Sequence, residues 1–335
     1  MRRRRAFAHA PERLLTAAVG ALLLLGAPSI ASADEPAGGA LTGWAIPTVP
    51  GPPQFTHGAA TAFAKHNLSA APAGSNNFDC RPTARHPRPV VLAHGTDSNA
   101  YSDWAELSPI LAADGYCVFA LNYGGNAAPT TYGTEDMARS GRQVAMFVDQ
   151  VLAATHARQV DLIGYSQGAT VTRYYMNRLG GAQNVHRWIG IASPTYGGVM
   201  YGTVPVAQSI PGAADALSNV LPTAVLQQMQ GSAFLTALNA GGDTVPGPRY
   251  TTVASVVDEM IQPSSNIALR DPGATNLVVQ DLCPSDMTGH FNMVYDAFTL
   301  QLVQNALDPE SAKVPTCEFV PLGTGIPEVI GSSHS

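Results

Sequence analysis

The sequence predicts an α/β fold: a mostly parallel sheet, helices on both faces, and a cap inserted late in the chain. Three observations predict it. Short apolar runs of strand length alternate with stretches of helical period, the pattern of a parallel sheet covered on both sides. One run, Val160-Asp161-Leu162-Ile163, passes through Gly164-Tyr165-Ser166-Gln167-Gly168 straight into a helix-compatible stretch. A single block, residues 195–246, interrupts the alternation.

The regular pattern begins after Cys80. Pro89-Val90-Val91-Leu92-Ala93 is a buried-strand run that ends at His94-Gly95-Thr96. Residues 104–113 read as helix. Cys117-Val118-Phe119-Ala120-Leu121 is a second strand, closed by Asn122-Tyr123-Gly124-Gly125. Across 134–155 the apolar residues recur at helical spacing, from Met137 through Val144, Phe147, Val148 and Val151 to Leu152. After the Ser166 turn and its helix come strands at 188–192, 250–256 and 277–279, then a closing helix over 291–307. The block 195–246 is rich in Ala, Gly, Pro, Leu and Val, and its only acidic residues are Asp215 and Asp243. It reads as a cap insertion, with a decorated surface loop as the alternative. The domain is expected over 80–310. Residues 34–79, rich in Pro, Gly and Ala without clear period, read as an extended N-terminal arm, and 311–335 as a C-terminal tail.

The chain opens on Arg2-Arg3-Arg4-Arg5, an apolar run at 14–27, and Ala31-Ser32-Ala33. That is the layout of a secretory signal peptide over 1–33. Its apolar run is short for a membrane span. The mature protein is therefore expected to be soluble, secreted and extracellular. The formal charge is −6; losing the leader removes five Arg and one Glu, which leaves −10. Nucleic-acid binding is excluded, because no basic field is present to recruit phosphates. Cys80, Cys117, Cys283 and Cys317 are an even set in an exported chain, so two disulfides are expected. Four cysteines allow three pairings. No C-x-x-C spacing supports a metal site.

Strand, Gly-x-Ser-x-Gly and helix together form the context of a nucleophile elbow, in which a sharp turn lifts the central side chain clear of the sheet. The bare pentapeptide is a weak signal; the flanking strand and helix strengthen it. Ser166 is the candidate nucleophile. Of nine histidines, His290 alone lies late in the chain, beyond the last strand and before the final helix. His57, His66 and His86 fall in the arm, and His156 and His186 precede strands. His94 reads as part of a turn beside the site. The order nucleophile, acid, histidine then asks for a carboxylate after a strand between 166 and 290. Asp258 follows the strand at 250–256. Glu259 is adjacent but aimed elsewhere by one residue, and Asp281 and Asp286 are runners-up. A negative tetrahedral intermediate needs prealigned N–H donors. Gln167, after the nucleophile, and Thr96, in the turn after the first strand, are the candidates, with the Thr96 hydroxyl as a third donor.

At this point the chain resembles the secreted class 2 lipases of actinobacteria, within the α/β-hydrolase fold, and more distantly the fungal lipase B group. The matching stretches include Asn77-Phe78-Asp79-Cys80-Arg81-Pro82, Val90-Val91-Leu92-Ala93-His94-Gly95-Thr96, Cys117-Val118-Phe119-Ala120-Leu121-Asn122-Tyr123-Gly124, Gly231-Ser232-Ala233-Phe234-Leu235-Thr236-Ala237-Leu238-Asn239, Asp258-Glu259 and Leu282-Cys283-Pro284. They span roughly 77–308. The resemblance implies an ester hydrolase acting on acylglycerols or similar carboxylesters, with no cofactor and no metal. It places Ser166, Asp258 and His290 in a triad and Thr96 and Gln167 in an oxyanion hole. It also implies the pairing Cys80 with Cys117 and Cys283 with Cys317. The chain departs from the family at Tyr165, where His is frequent, and at Gly168-Ala169, where Gly-Gly is frequent. Leu221-Pro222-Thr223-Ala224, before Gln227-Gln228, lacks a cysteine pair that many relatives carry. Expected partners are a lipid or other ester substrate and transient contact with a lipid interface, for a monomer. Competing expectations are a short-chain carboxylesterase, a polyester depolymerase or acyltransferase, and an inactive lipid-binding or adhesion module. That last reading would show a lost triad residue, and none is lost.

Overall fold

The computed structural model describes residues 41–126, 129–199 and 221–333. The leader expected at 1–33 and much of the block expected as a cap, 200–220, lie outside the described residues.

Six strands form the main sheet: β3 (Val90–Ala93), β4 (Val118–Leu121), β5 (Val160–Tyr165), β6 (Val185–Ile191), β7 (Arg249–Ala254) and β8 (Thr275–Val278). Their order is β4-β3-β5-β6-β7-β8 and every pair is parallel. A separate two-stranded sheet pairs β1 (Val49–Pro50) with β2 (Ala70–Ala71). Side chains alternate across a strand, so each strand feeds two cores. Val90, Leu92, Val118 and Ala120 pack on one side. Val91, Ala93, Phe119 and Leu121 pack on the other. Helices cover both. On the first side lie α1 (His57–His66), α2 (Ala100–Trp104), α3 (Leu107–Ala113) and α9 (Ala297–Leu307). On the second lie α4 (Met137–Thr155) and α5 (Gln167–Arg178). Strands β3 and β4 are buried at every residue, which explains why they read as unbroken apolar runs.

Helix α1 corrects the expectation of an extended arm. Thr56 caps it, accepting the Ala59 N–H at 3.2 Å, and Lys65 and His66 sit in its last turn. Its buried face is Gly58, Ala60 and Ala64, too small to write a strong apolar period. Small residues are what let it press on α2 and on α10 (Ile326–Ser333). A Cβ at Gly58 would lie 2.3 Å from the Glu328 Cβ. Two further boundaries shift. The helix expected over 104–113 is two helices, because Asn99 and Ser102 form a capping box that starts α2 early. The closing helix starts at Ala297, not Phe291, where the Asp296 side chain accepts the Thr299 N–H at 2.7 Å; a short 3₁₀ turn, His290–Asn292, precedes it.

The described end of the inserted block carries α6 (Thr223–Gln227) and α7 (Ala233–Asn239). Helix α6 is tied to the start of α4: the Gln227 side chain accepts from Met137 N at 2.7 Å and donates to Asp136 Oδ2 at 2.6 Å. Helix α7 is tied to α5 through the buried Arg173, which donates to Asn239 Oδ1 and the Asp243 carbonyl. Helix α8 (Val279–Leu282) leads into Cys283. Disulfides join Cys80 to Cys117 and Cys283 to Cys317. No described helix is long and apolar enough to cross a membrane.

Candidate active site

Strand β5 delivers Ser166 to the start of α5. Its backbone sits at φ 51° and ψ −120°, a strained conformation for a residue with a Cβ. Two glycines make the turn fit. A Cβ on Gly164 would lie 2.3 Å from Ala169 N, and one on Gly168 would lie 2.1 Å from the Ala93 carbonyl oxygen. Ala169, where the resembling family frequently has Gly, is fully buried in the second core.

The Ser166 hydroxyl lies 3.1 Å from His290 Nε2. His290 Nδ1 donates to Asp258 Oδ2 at 2.9 Å. Asp258 follows β7, and its other oxygen accepts the N–H groups of Met260 and Ile261 at 2.8 and 2.7 Å. The three side chains are nearly sealed: Ser166, Asp258 and His290 are 8%, 1% and 5% exposed. Burial by itself would lower the His290 pKa. The charge and hydrogen bond of Asp258 outweigh it, helped by Glu259 and Asp103, and hold the imidazole above its ordinary value. The structure thus brings Ser166, Asp258 and His290 into one hydrogen-bonded line. It does not bring the runners-up to the imidazole. Asp281 is exposed on α8, and Asp286 turns to Thr288 N.

The Gln167 N–H opens α5, where the helix offers it no acceptor. The Thr96 N–H has no acceptor among the described residues. Both residues border Ser166, and the Gln167 side chain bonds Thr96 Oγ1 at 3.1 Å. The peptide before Thr96 is fixed by His94: its Nδ1 donates to the Gly95 carbonyl at 2.7 Å, and its Nε2 accepts from Tyr123 N at 3.2 Å. Burial drives the His94 pKa down to about 4, so this ring is neutral.

Several side chains at the site escape sequence reading. Glu259 accepts the backbone N–H groups of His290 and Phe291, at 2.7 and 3.3 Å, and so anchors the histidine turn. Its direction away from the imidazole is expected from the one-residue offset; its target is not. Tyr165 donates to the His290 carbonyl at 2.8 Å, the use found for a residue that departs from the family pattern. Asp103 accepts the Gly95 N–H at 2.7 Å and pairs with His57 at 3.0 Å. Pairs so distant in sequence leave no local signal. A cavity of about 450 Å³ opens over Ser166 and His290, walled by His57, Val199, Val225, Gln228, Ile261 and Phe291 among others. No group of His, Cys, Asp and Glu among the described residues could hold a metal ion. The chemistry such a site can perform is attack by a hydroxyl whose proton passes to a carboxylate-backed imidazole.

Comparison with known proteins gives three findings. Triacylglycerol lipases of Pseudarthrobacter phenanthrenivorans and Burkholderia plantarii are each 37% identical over 92 residues, 26% of this chain. The match spans only about a quarter of either relative, 27% and 24%. The crystal structure of Aspergillus fumigatus lipase B superposes with a TM-score of 0.54 at 20% identity, covering 78% of this chain and 68% of that one. That likeness shows the shared fold, the α/β-hydrolase fold. The family model described as lipase (class 2) matches residues 87–303, from the approach to β3 into α9, and the chain belongs to that family.

Proposed function

We propose that the protein is a secreted serine carboxylester hydrolase, a lipase cleaving acylglycerols through an acyl-enzyme. The observation that carries the reading is the unbroken line from Asp258 through His290 to Ser166 at the floor of the cavity. His290 takes the Ser166 proton as Oγ attacks the ester carbonyl carbon. The N–H groups of Thr96 and Gln167 stabilise the oxyanion, aided by the positive end of α5. As the tetrahedral intermediate collapses, the imidazolium returns the proton to the departing alcohol. Water, activated by the same histidine, then releases the acid and restores Ser166. Asp258 stays ionised and keeps Nδ1 protonated throughout. The inserted block supplies apolar wall for the acyl chain through Val199 and Val225. The chain acts as a monomer at a lipid surface. Its export rests on the leader at 1–33 and agrees with the two disulfides.

A second reading, a short-chain carboxylesterase or polyester depolymerase, is favoured by the polar part of the same wall, where Asp97, Asn99, Thr130 and Thr131 lie. Hydrolysis of p-nitrophenyl esters from two to sixteen carbons, with emulsified triolein alongside, separates the two. The Ser166→Ala variant serves as control. Serine-dependent cleavage of long chains and triolein is expected. Activity confined to short esters or polymer would replace lipase with the second reading. Normal turnover by Ser166→Ala would sink both, and no turnover by the intact protein on any ester would leave an inactive binding module.

A further inference from the structure

Thr96 Oγ1 receives two amide donors. Gln167 Nε2 lies 3.1 Å away and Gln228 Nε2 lies 2.9 Å away. In each amide the nitrogen is identified by a second bond to a backbone carbonyl. Gln167 Nε2 also donates to Gly133 O at 2.8 Å, and Gln228 Nε2 to Ala224 O at 3.0 Å. Each side chain therefore presents an N–H, not a carbonyl, to the threonine. A hydroxyl has one proton and two acceptor positions. With both acceptor positions filled, its proton must leave along the remaining direction. Among the described residues its acceptor is Gln228 Oε1, at a long 3.4 Å. Thr96 also lines the cavity beside Ser166.

We propose that Gln228 is a positioning residue, which fills an acceptor position of Thr96 Oγ1 and so points the hydroxyl proton at the oxyanion. This rests on the reading of Ser166 as the nucleophile. Gln228 touches no reacting atom in this account; it acts through Thr96. It follows α6, in the inserted block, 132 residues from Thr96. The hydrogen bond therefore ties the orientation of an oxyanion donor to the seating of the cap. Gln228 is 2% exposed, so its amide is held within the fold beside the cavity wall.

The test is a double-mutant cycle on p-nitrophenyl butyrate, read as kcat and KM separately. Removing one oxyanion donor outright costs about 10²–10³ in kcat. Thr96→Val should approach that loss, while Thr96→Ser, which keeps the hydroxyl, should recover most of it. Gln228→Met fills the same space without a donor and should lower kcat about tenfold with KM unchanged, a fraction of the full donor loss. Gln228→Glu should lose more than Gln228→Met, although its shape is closer to Gln. Its carboxylate would accept the Thr96 proton and turn the hydroxyl away. In the Thr96→Val background neither Gln228 variant should lower kcat further. Additive losses, or a Gln228→Met effect confined to KM or melting temperature, would reduce Gln228 to a packing residue and overturn the proposal. If Ser166→Ala itself retains normal turnover, the underlying reading fails instead, and the two failures are distinct.

Discussion

Replacing Asp258 by Asn should nearly abolish turnover while leaving the fold intact, and the structure says why. One carboxylate oxygen accepts two backbone N–H groups, from Met260 and Ile261, and the other accepts His290 Nδ1–H. An asparagine has one oxygen and one NH₂. If the NH₂ faced Met260 and Ile261, two buried donors would meet a third donor, at roughly 1–3 kcal/mol for each group left unsatisfied. The oxygen must therefore stay with the backbone pair, and the NH₂ must face Nδ1. That inverts the imidazole: Nδ1 becomes the acceptor, and Nε2 carries the proton toward Ser166. A protonated Nε2 cannot accept the serine proton. The wrong tautomer in such a triad costs about 10⁴-fold in kcat, or about 5.5 kcal/mol of barrier. The assay is kcat on p-nitrophenyl butyrate, with thermal melting of both proteins to establish an intact fold. A folded Asp258→Asn enzyme within tenfold of the parent would show that Asp258 does not set the tautomer and would return suspicion to the other carboxylates.

Two further predictions concern Glu259 and pH. His290 must be neutral to act as base, and its pKa lies above the ordinary imidazole value, because the nearby carboxylates outweigh burial. The rising limb of kcat/KM against pH should therefore centre above about 6.5, and Glu259→Gln, by removing one of those charges, should move it down. A midpoint at or below the ordinary value would contradict the electrostatics. Glu259→Ala should leave the His290 and Phe291 N–H groups without their acceptor, costing roughly 1–3 kcal/mol of stability in urea titration. An unchanged urea midpoint would show that these bonds contribute nothing.

The parts legible in the sequence are those with a local physical signature. The strands Val90–Ala93 and Val118–Leu121 are apolar and buried at every residue, a pattern legible in the sequence. The Gly164–Gly168 turn carries its own steric logic in five residues, since a Cβ at either end would collide with backbone. Chain order then points to Asp258 and His290, which the structure places within hydrogen-bond reach of each other. What stayed hidden depends on contacts across long separations. Helix α1 buries Ala and Gly, which write no hydrophobic period, so its delivery of His57 to Asp103 is invisible until the chain is folded. Glu259 holds backbone atoms 31 residues away, and backbone partners leave no trace in composition. Gln228 resembles any polar residue after a short helix until Thr96 is found beside it. Helix boundaries shifted where an Asn or Asp side chain set the cap, at Asn99 and Asp296, a choice that periodicity alone does not record.

Covalent trapping decides whether Ser166 is the nucleophile of an ester hydrolase. The protein would be titrated with a p-nitrophenyl alkylphosphonate, following residual ester hydrolysis and the site of the adduct by peptide mass spectrometry. One adduct per chain is expected, on the peptide bearing Ser166, with activity lost in proportion and Ser166→Ala left unlabelled. An adduct elsewhere, or full activity in protein labelled at Ser166, would contradict that assignment.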